Sequence, residues 1–347
     1  MKNSKKLRIV SILTAMLIMA VSFAGCSTSA ITGNGNGKLK IVTTIFPLYD
    51  WTTNVLGDNP GDFELTMLLN NGVDLHSFQP TAEDIMKIAT CDVFIYVGGE
   101  SDEWVEDVLK QAVNKDMKVV NLMDVIGDAA KEEEIVEGMQ KSEHEHDHED
   151  GDHEEGHDHE EGHDHEEAEY DEHIWLSLRN AETCVDAIAA AVSGKDSDHA
   201  DVYRNNAMQY NKELDALDGE YREVCKNAAV KTLLFGDRFP FRYLTEDYGL
   251  TYYAAFIGCS AETEASFETV TFLAEKTDEL GLRNIMVTES TDGKIAETIV
   301  SNTKSKDQNI LIMDSMQAVT SNDVSAGTTY LSIMKSNLEI LKEALGE

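Results

Sequence analysis

Histidine and acidic residues alternate between Glu143 and Glu172, a stretch with neither Lys nor Arg. Two near-identical units, Glu155-Gly156-His157-Asp158-His159 and Glu161-Gly162-His163-Asp164-His165, sit at its centre. Eight of the chain's eleven histidines fall here: His144, His146, His148, His153, His157, His159, His163 and His165. Imidazole nitrogen and carboxylate oxygen are donors that borderline divalent ions such as Zn²⁺ accept. Such a density of both points to a transition metal. The bland alternative is an inert acidic linker; an expression tag would be terminal and made of histidine alone.

Outside the tract, single residues stand where ligands are commonly placed. His76 lies in Gly72-Val73-Asp74-Leu75-His76-Ser77-Phe78-Gln79-Pro80, directly after an apolar run. A loop bearing Gly, Asp and Pro can present an imidazole without packing it. His173 lies in Asp171-Glu172-His173-Ile174-Trp175-Leu176, at the end of the tract. Trp175 and Leu176 are expected to pack down and leave His173 projecting outward. Asp314 and Glu289 each follow an apolar run, as does Gly236-Asp237-Arg238-Phe239-Pro240-Phe241. Taken singly, each has an ordinary reading: a packed histidine, or an aspartate capping a helix.

The elements that must position these residues alternate short apolar runs with amphipathic stretches. Strands are expected at 40–45, 63–68, 93–97 and 118–121, with helices at 47–56, 82–89 and 102–113. Pro47 suits the first turn of a helix, and Thr81 with Asp84 makes a partial capping box. After the tract come helices at 180–192 and 197–228. In the second of these, Tyr203, Ala207, Tyr210, Leu214, Leu217, Tyr221 and Val224 recur at helical spacing. The βα rhythm then resumes, with strands at 232–235, 251–256, 284–287 and 310–313. Helices are expected at 238–248, 266–280, 293–303 and 328–345. The fold class is α/β: two βα lobes with parallel sheets, joined by one long rigid helix. The lobes are 39–196, with the tract as a loop at 142–170, and 229–347; the helix is 197–228. In such sheets ligands gather at the carboxyl ends of the strands.

At 347 residues, 42% apolar, the chain can build two cores. Its net charge of −37, with seventeen of the acidic residues in the tract, repels nucleic acid and anionic headgroups alike. Lys2, Lys5, Lys6 and Arg8 precede an apolar run ending near Phe23, then Ala24-Gly25-Cys26. That is the layout of an export signal, and small residues before a cysteine resemble a bacterial lipobox. Residues 1–26 are therefore expected to be a lipoprotein signal with Cys26 lipidated, and 27–38 a tether. Contact with a membrane is expected only through that anchor. Cys91, Cys184, Cys225 and Cys259 form no CxxC pair and are expected to be small core residues. Spacing assigns no disulfide.

Together these segments resemble the solute-binding lipoproteins of zinc and manganese ABC uptake systems, the ZnuA-like group. The family's GxDPHxFEP loop is matched by GVDLHSFQP at Gly72–Pro80 and its DPHxWL segment by DEHIWL at Asp171–Leu176. Its acidic histidine-rich loop, where present, lies just ahead of the second motif, as here. Ala261-Glu262-Thr263-Glu264-Ala265-Ser266 looks like the family's "EPS" helix start. Asp314-Ser315 followed by Tyr330 through Leu338 is similar to its DS…YxxMMxxNL close.

The resemblance implies a metal held in the interlobe cleft by His76, His173 and, from the second lobe, Asp314 and a histidine or glutamate. Alignment back from Tyr248-Gly249-Leu250 puts Arg238 at that last position. A guanidinium has no lone pair to give. Arg238 is expected to pair with Asp237, Glu264, Glu289 or Asp314. The missing donor stays open among Asp237, a second oxygen of Asp314, water and a tract histidine. The implied function is capture of Zn²⁺ outside the cell membrane by a monomer that delivers it to the permease and ATPase of an ABC importer. Mn²⁺ or Fe²⁺ capture, an adhesin of the same family, a metal buffer and a zinc hydrolase are the alternatives. No HExxH, GxSxG or P-loop occurs, so no enzyme is expected.

Overall fold

Four apolar runs of the first half pair in parallel as β1 (Leu39–Thr43), β2 (Phe63–Met67), β3 (Val93–Tyr96) and β4 (Lys118–Asn121), in the order β2-β1-β3-β4. The structure is a computed structural model, and it describes residues 37–58, 63–140, 169–260 and 262–346. Cys26 and the eight histidines of the tract lie outside the described residues. Everything below belongs to the compact unit Leu39–Glu347.

A parallel sheet needs both faces covered, and Ile41, Val93, Phe94 and Ile95 are wholly buried. The covering helices are α1 (Phe46–Leu56), α2 (Ala82–Thr90), α3 (Trp104–Lys110), α4 (Leu122–Ile126) and α5 (Leu178–Lys195). Pro47 occupies the first turn of α1, where its missing N–H costs nothing. The capping box at α2 is complete, Thr81 and Asp84 each satisfying the other's backbone N–H.

The second lobe repeats the design with β5 (Thr232–Phe239), β6 (Thr251–Ile257), β7 (Asn284–Thr288) and β8 (Asn309–Met313), ordered β6-β5-β7-β8 and again parallel. Between and after these strands lie α7 (Arg242–Tyr248), α8 (Phe267–Leu280), α9 (Lys294–Asn302), α10 (Ser321–Ser325) and α11 (Tyr330–Leu345). Each sheet reverses its order beside its first strand, and such switch points open a crevice at the carboxyl edge.

One expected boundary is wrong in an informative way. The sequence suggested a helix from Arg238, but β5 runs on to Phe239, with its register against β6 shifting between Phe235 and Arg238. Gly236 permits this course, because a Cβ there would stand 2.7 Å from the Ala296 backbone. Pro240 disfavours helical geometry at Phe239, so α7 starts only at Arg242.

Between the lobes lies α6 (Ala200–Asn227), 28 residues and about 42 Å long. It is packed along its length. Tyr210 Oη donates to Asp50 of α1 at 3.2 Å, and Asn206 Nδ2 to the Val55 carbonyl at 3.0 Å. Toward its other end, Tyr221 Oη donates to the Met334 carbonyl of α11 at 2.6 Å. Trp51 of the first lobe meets Tyr330 of the second edge-on, 5.2 Å between ring centres. Tyr330 Oη donates to the Trp175 carbonyl, and Trp175 Nε1 donates to the Ser315 carbonyl. One buried apolar cluster therefore runs through both lobes and α6. A smaller one, including Leu234, Phe256, Leu273 and Ile299, fills the space under α8 and α9. Among the described residues no helix is long and apolar enough to cross a membrane.

Candidate metal centre

His76 is delivered by the loop after β2. Leu75 is buried and anchors a single 3₁₀ turn, Leu75–Ser77, which Asp74 caps by accepting from His76 N at 3.0 Å. His76 Nδ1 lies 2.8 Å from Ser101 Oγ and 3.4 Å from Glu172 Oε2. A proton on Nδ1, donated to either partner, would leave a lone pair on Nε2.

His173 is delivered by the turn ahead of α5. Contrary to the outward projection expected, its ring is wholly buried. Asp171 Oδ1 accepts from both His173 N (2.8 Å) and Nδ1 (3.0 Å). A carboxylate behind a histidine in this way fixes ring and tautomer and strengthens Nε2 as a ligand. Burial alone would lower the His173 pKa, but the charge and hydrogen bond of Asp171 outweigh it and raise it.

The two Nε2 atoms face each other at 3.2 Å. Two nitrogens bound to one tetrahedral zinc at about 2.05 Å stand about 3.3 Å apart. The spacing is that of a metal edge.

The second lobe closes the space from the other side. After β6, Gly258-Cys259-Ser260 brings the Cys259 thiol to the two rings, and one donor atom from each of His76, His173 and Cys259 lies within 4.8 Å of the others. Among the described residues this is the group able to hold an ion. Cys259 is thus no core residue. It follows a strand at a carboxyl edge, the criterion that singled out the other candidates. Cys91, Cys184 and Cys225 are buried, and all four described cysteines are free thiols. Burial pushes the Cys259 thiol well above its ordinary range, and the charge of the neighbouring Glu133 adds to it.

Asp314 follows β8 at the same carboxyl edge but is not a member of the group. Its Oδ1 accepts from Met316 N at 2.7 Å, and its pKa is pushed up to about 6 by burial and by Glu289. Glu289 itself accepts from Ser315 N, Ser315 Oγ and Gln317 N, shaping the loop that sets Gln317 Nε2 3.3 Å from His173 Nε2. Asp237 is occupied by Thr288 N and Oγ1 and by Arg238 N. Arg238 pairs with none of the four acids expected. Its Nη2 reaches Asp74 Oδ2 at 3.0 Å across the lobes, and its Nη1 donates to the Ser260 carbonyl at 3.3 Å.

Glu172 is a second residue that sequence reasoning passed over. It stands where the family motif has proline, and that departure was the available signal. Its Oε1 accepts from Ser101 N at 2.8 Å, while its Oε2 faces His76. Burial would raise its pKa, yet hydrogen bonds from His76 and Ser101 outweigh that and lower it. Gly99, at φ +84°, makes room, since a Cβ there would meet Glu172 Oε1 at 2.3 Å.

His76 and Cys259 line a cavity of about 260 Å³ together with four carboxylates, Glu100, Glu133, Glu169 and Glu172. Residues 132 and 170 pair in an antiparallel bridge at its side, so the chain returns from the tract beside the cavity.

Parallel sheets in two lobes, a packed helix between them and nitrogen and sulfur donors meeting in the cleft define a class: a two-lobed protein built around one buried metal-competent centre. The profile of the family described as "Zinc-uptake complex component A periplasmic" matches residues 41–344, and the chain belongs to that family. It is 31% identical over 335 residues to the zinc-binding protein AdcA of Streptococcus pyogenes, covering 95% of this chain and 61% of that one. The chain thus spans under two thirds of that relative's length. It is 30% identical to the high-affinity zinc uptake system protein ZnuA of Bacillus subtilis, covering 96% of this chain and 97% of ZnuA. Its fold matches the Zn(II)-bound ZnuA-like domain of Streptococcus pneumoniae AdcA with a TM-score of 0.66 at 26% identity, over 90% of this chain and all of that one.

Proposed function

We propose that this chain is an extracytoplasmic receptor that captures Zn²⁺ in the interlobe cleft and hands it to the permease and ATPase of an ABC importer. The observation that carries the reading is the facing pair of Nε2 atoms at 3.2 Å, each ring anchored through its Nδ1 by a carboxylate or hydroxyl. The zinc named for the AdcA and ZnuA relatives points the same way. His76 and His173 hold the ion, and Asp314 is the proposed oxygen donor from the loop after β8. Oxygen-rich sites favour Mn²⁺, nitrogen-rich ones Zn²⁺, and two imidazoles weigh toward zinc.

The histidine tract serves as an auxiliary, multi-site collector at high local concentration beside the tight site. Glu169, where the described chain resumes, lines the same cavity as His76. Cys26 would tether the protein, as a monomer, to the outer face of the membrane.

Zinc competition titration of the mature chain tests this. One tight site should survive deletion of residues 143–167 and weaken at least about 100-fold in His76→Ala and in His173→Ala. A tight site that persists in both histidine variants would sink the reading. Loss of all tight binding on deleting the tract would make the protein a metal buffer instead.

A further inference from the structure

We infer that Cys259 is the second-lobe metal ligand, taking the role that Arg238 cannot fill. The inference rests on the receptor reading above and goes beyond it by naming a donor outside the family's histidine, glutamate and aspartate set. The first argument is geometric: the thiol reaches the same 4.8 Å group as the two imidazoles. Nitrogen and sulfur ligands of one tetrahedral zinc, at about 2.05 and 2.3 Å, stand about 3.6 Å apart, so a small closure of the lobes completes the set.

The second argument is how the loop is held. Arg238 is tied to the Ser260 carbonyl, next to the thiol, and to Asp74, two residues from His76. The side chain that vacates the ligand position thus fastens the loop that supplies the replacement. Gly258, on the other side of Cys259, lets this backbone press against His173, for a Cβ there would stand 2.9 Å from His173 Cε1. Asp237, the neighbouring acid, has both oxygens occupied within its own lobe.

The third is a proton acceptor. Glu133 lines the same cavity as Cys259, and its buried Oε1 has no hydrogen-bond partner. On loading, the Sγ–H bond breaks and its electron pair stays on sulfur to form the Sγ–Zn bond. The proton passes to Glu133 and from there to water. A thiolate favours zinc and disfavours manganese, so Cys259 is the residue that sets metal preference.

X-ray absorption on the mature full chain loaded with one equivalent of Zn²⁺ decides the matter. A sulfur shell at about 2.3 Å is expected in the wild type and should vanish in Cys259→Ser. The tract contains no sulfur and cannot supply the shell. In the same variant, zinc affinity should fall by more than the 10–100-fold typical of losing an outer-shell partner. Should Cys259→Ser fail to fold, Cys259→Asp replaces it, with the zinc-to-manganese preference expected to narrow at least tenfold. A wild-type protein that binds zinc tightly through nitrogen and oxygen alone would overturn the inference and leave the receptor reading standing. A sulfur shell that persists in the variant would overturn it too. Absence of any tight zinc site would overturn both.

Discussion

An imidazole is a ligand only when its second nitrogen keeps the proton occupied elsewhere, and each of the two rings here meets that demand differently. His173 uses the carboxylate two residues before it, so its support was legible in Asp171-Glu172-His173. His76 draws on Ser101 and Glu172, 25 and 96 residues away, which no spacing rule reaches. Cys259 stayed hidden for a different reason: cysteine in an apolar segment is far more often core than ligand. Gly258 is the least conspicuous residue of the site and tests its rigidity. In Gly258→Ala the new methyl would crowd His173, whose ring Asp171 pins, and the Phe239 carbonyl at 3.0 Å. Zinc affinity should drop roughly 10–100-fold, with overpacking costing about 1–3 kcal/mol of stability. Competition titration and denaturant melts read both; unchanged affinity would mean the ring can yield.

Between elements, the contact of α1 with α6 hides a titrating group. Asp50 is held against Tyr210 and Asn54, and burial raises its pKa to about 6 from 3.8. A carboxyl with a raised folded-state pKa adds stability that is fully present below its unfolded pKa and is lost as pH rises through about 6. Metal-free wild type should therefore gain roughly 2–3 kcal/mol over Asp50→Asn between pH 7 and pH 4, at about 1.4 kcal/mol per pKa unit. Parallel denaturation curves at the two pH values would show it. A constant difference between the proteins would refute the assignment.

Elements of this kind were legible where periodicity and caps agreed. β4 and the Thr81–Asp84 box follow from the residues directly, and the long α6 from its apolar spacing. The extension of β5 through Gly236 was not legible. It depends on the close approach of Ala296, about sixty positions further on, and Gly-Asp-Arg looks locally like a turn. The cleft itself was visible only through the family's motifs, because which loops face each other is set by packing.

At the scale of the whole molecule, the two lobes share one core. Trp51, Trp175, Tyr221 and Tyr330 are all fully buried, and their contacts run from the first lobe through α6 to α11. On the receptor reading proposed above, lobes joined in this way are expected to open by small tilts rather than by a wide hinge, and the halves should not be separable. Unfolding of the metal-free protein should be a single transition with matching calorimetric and van 't Hoff enthalpies. Residues 39–196 and 229–347, expressed apart, should remain unfolded. Two resolved transitions, or a folded isolated lobe, would contradict a common core.

The antiparallel bridge between Glu132 and Tyr170 has a consequence of another kind. Because Gln140 is fixed to the second lobe and Glu169 to Glu133, the number of residues strung between 140 and 169 is decoupled from the architecture beneath. Doubling such a loop adds only about 0.6 kcal/mol of closure entropy. Histidine units like the two that are nearly identical here can be duplicated or shed while the cleft stays as it is. Under the proposed collector role, collecting capacity and final affinity become separate settings, adjustable one at a time within a single polypeptide.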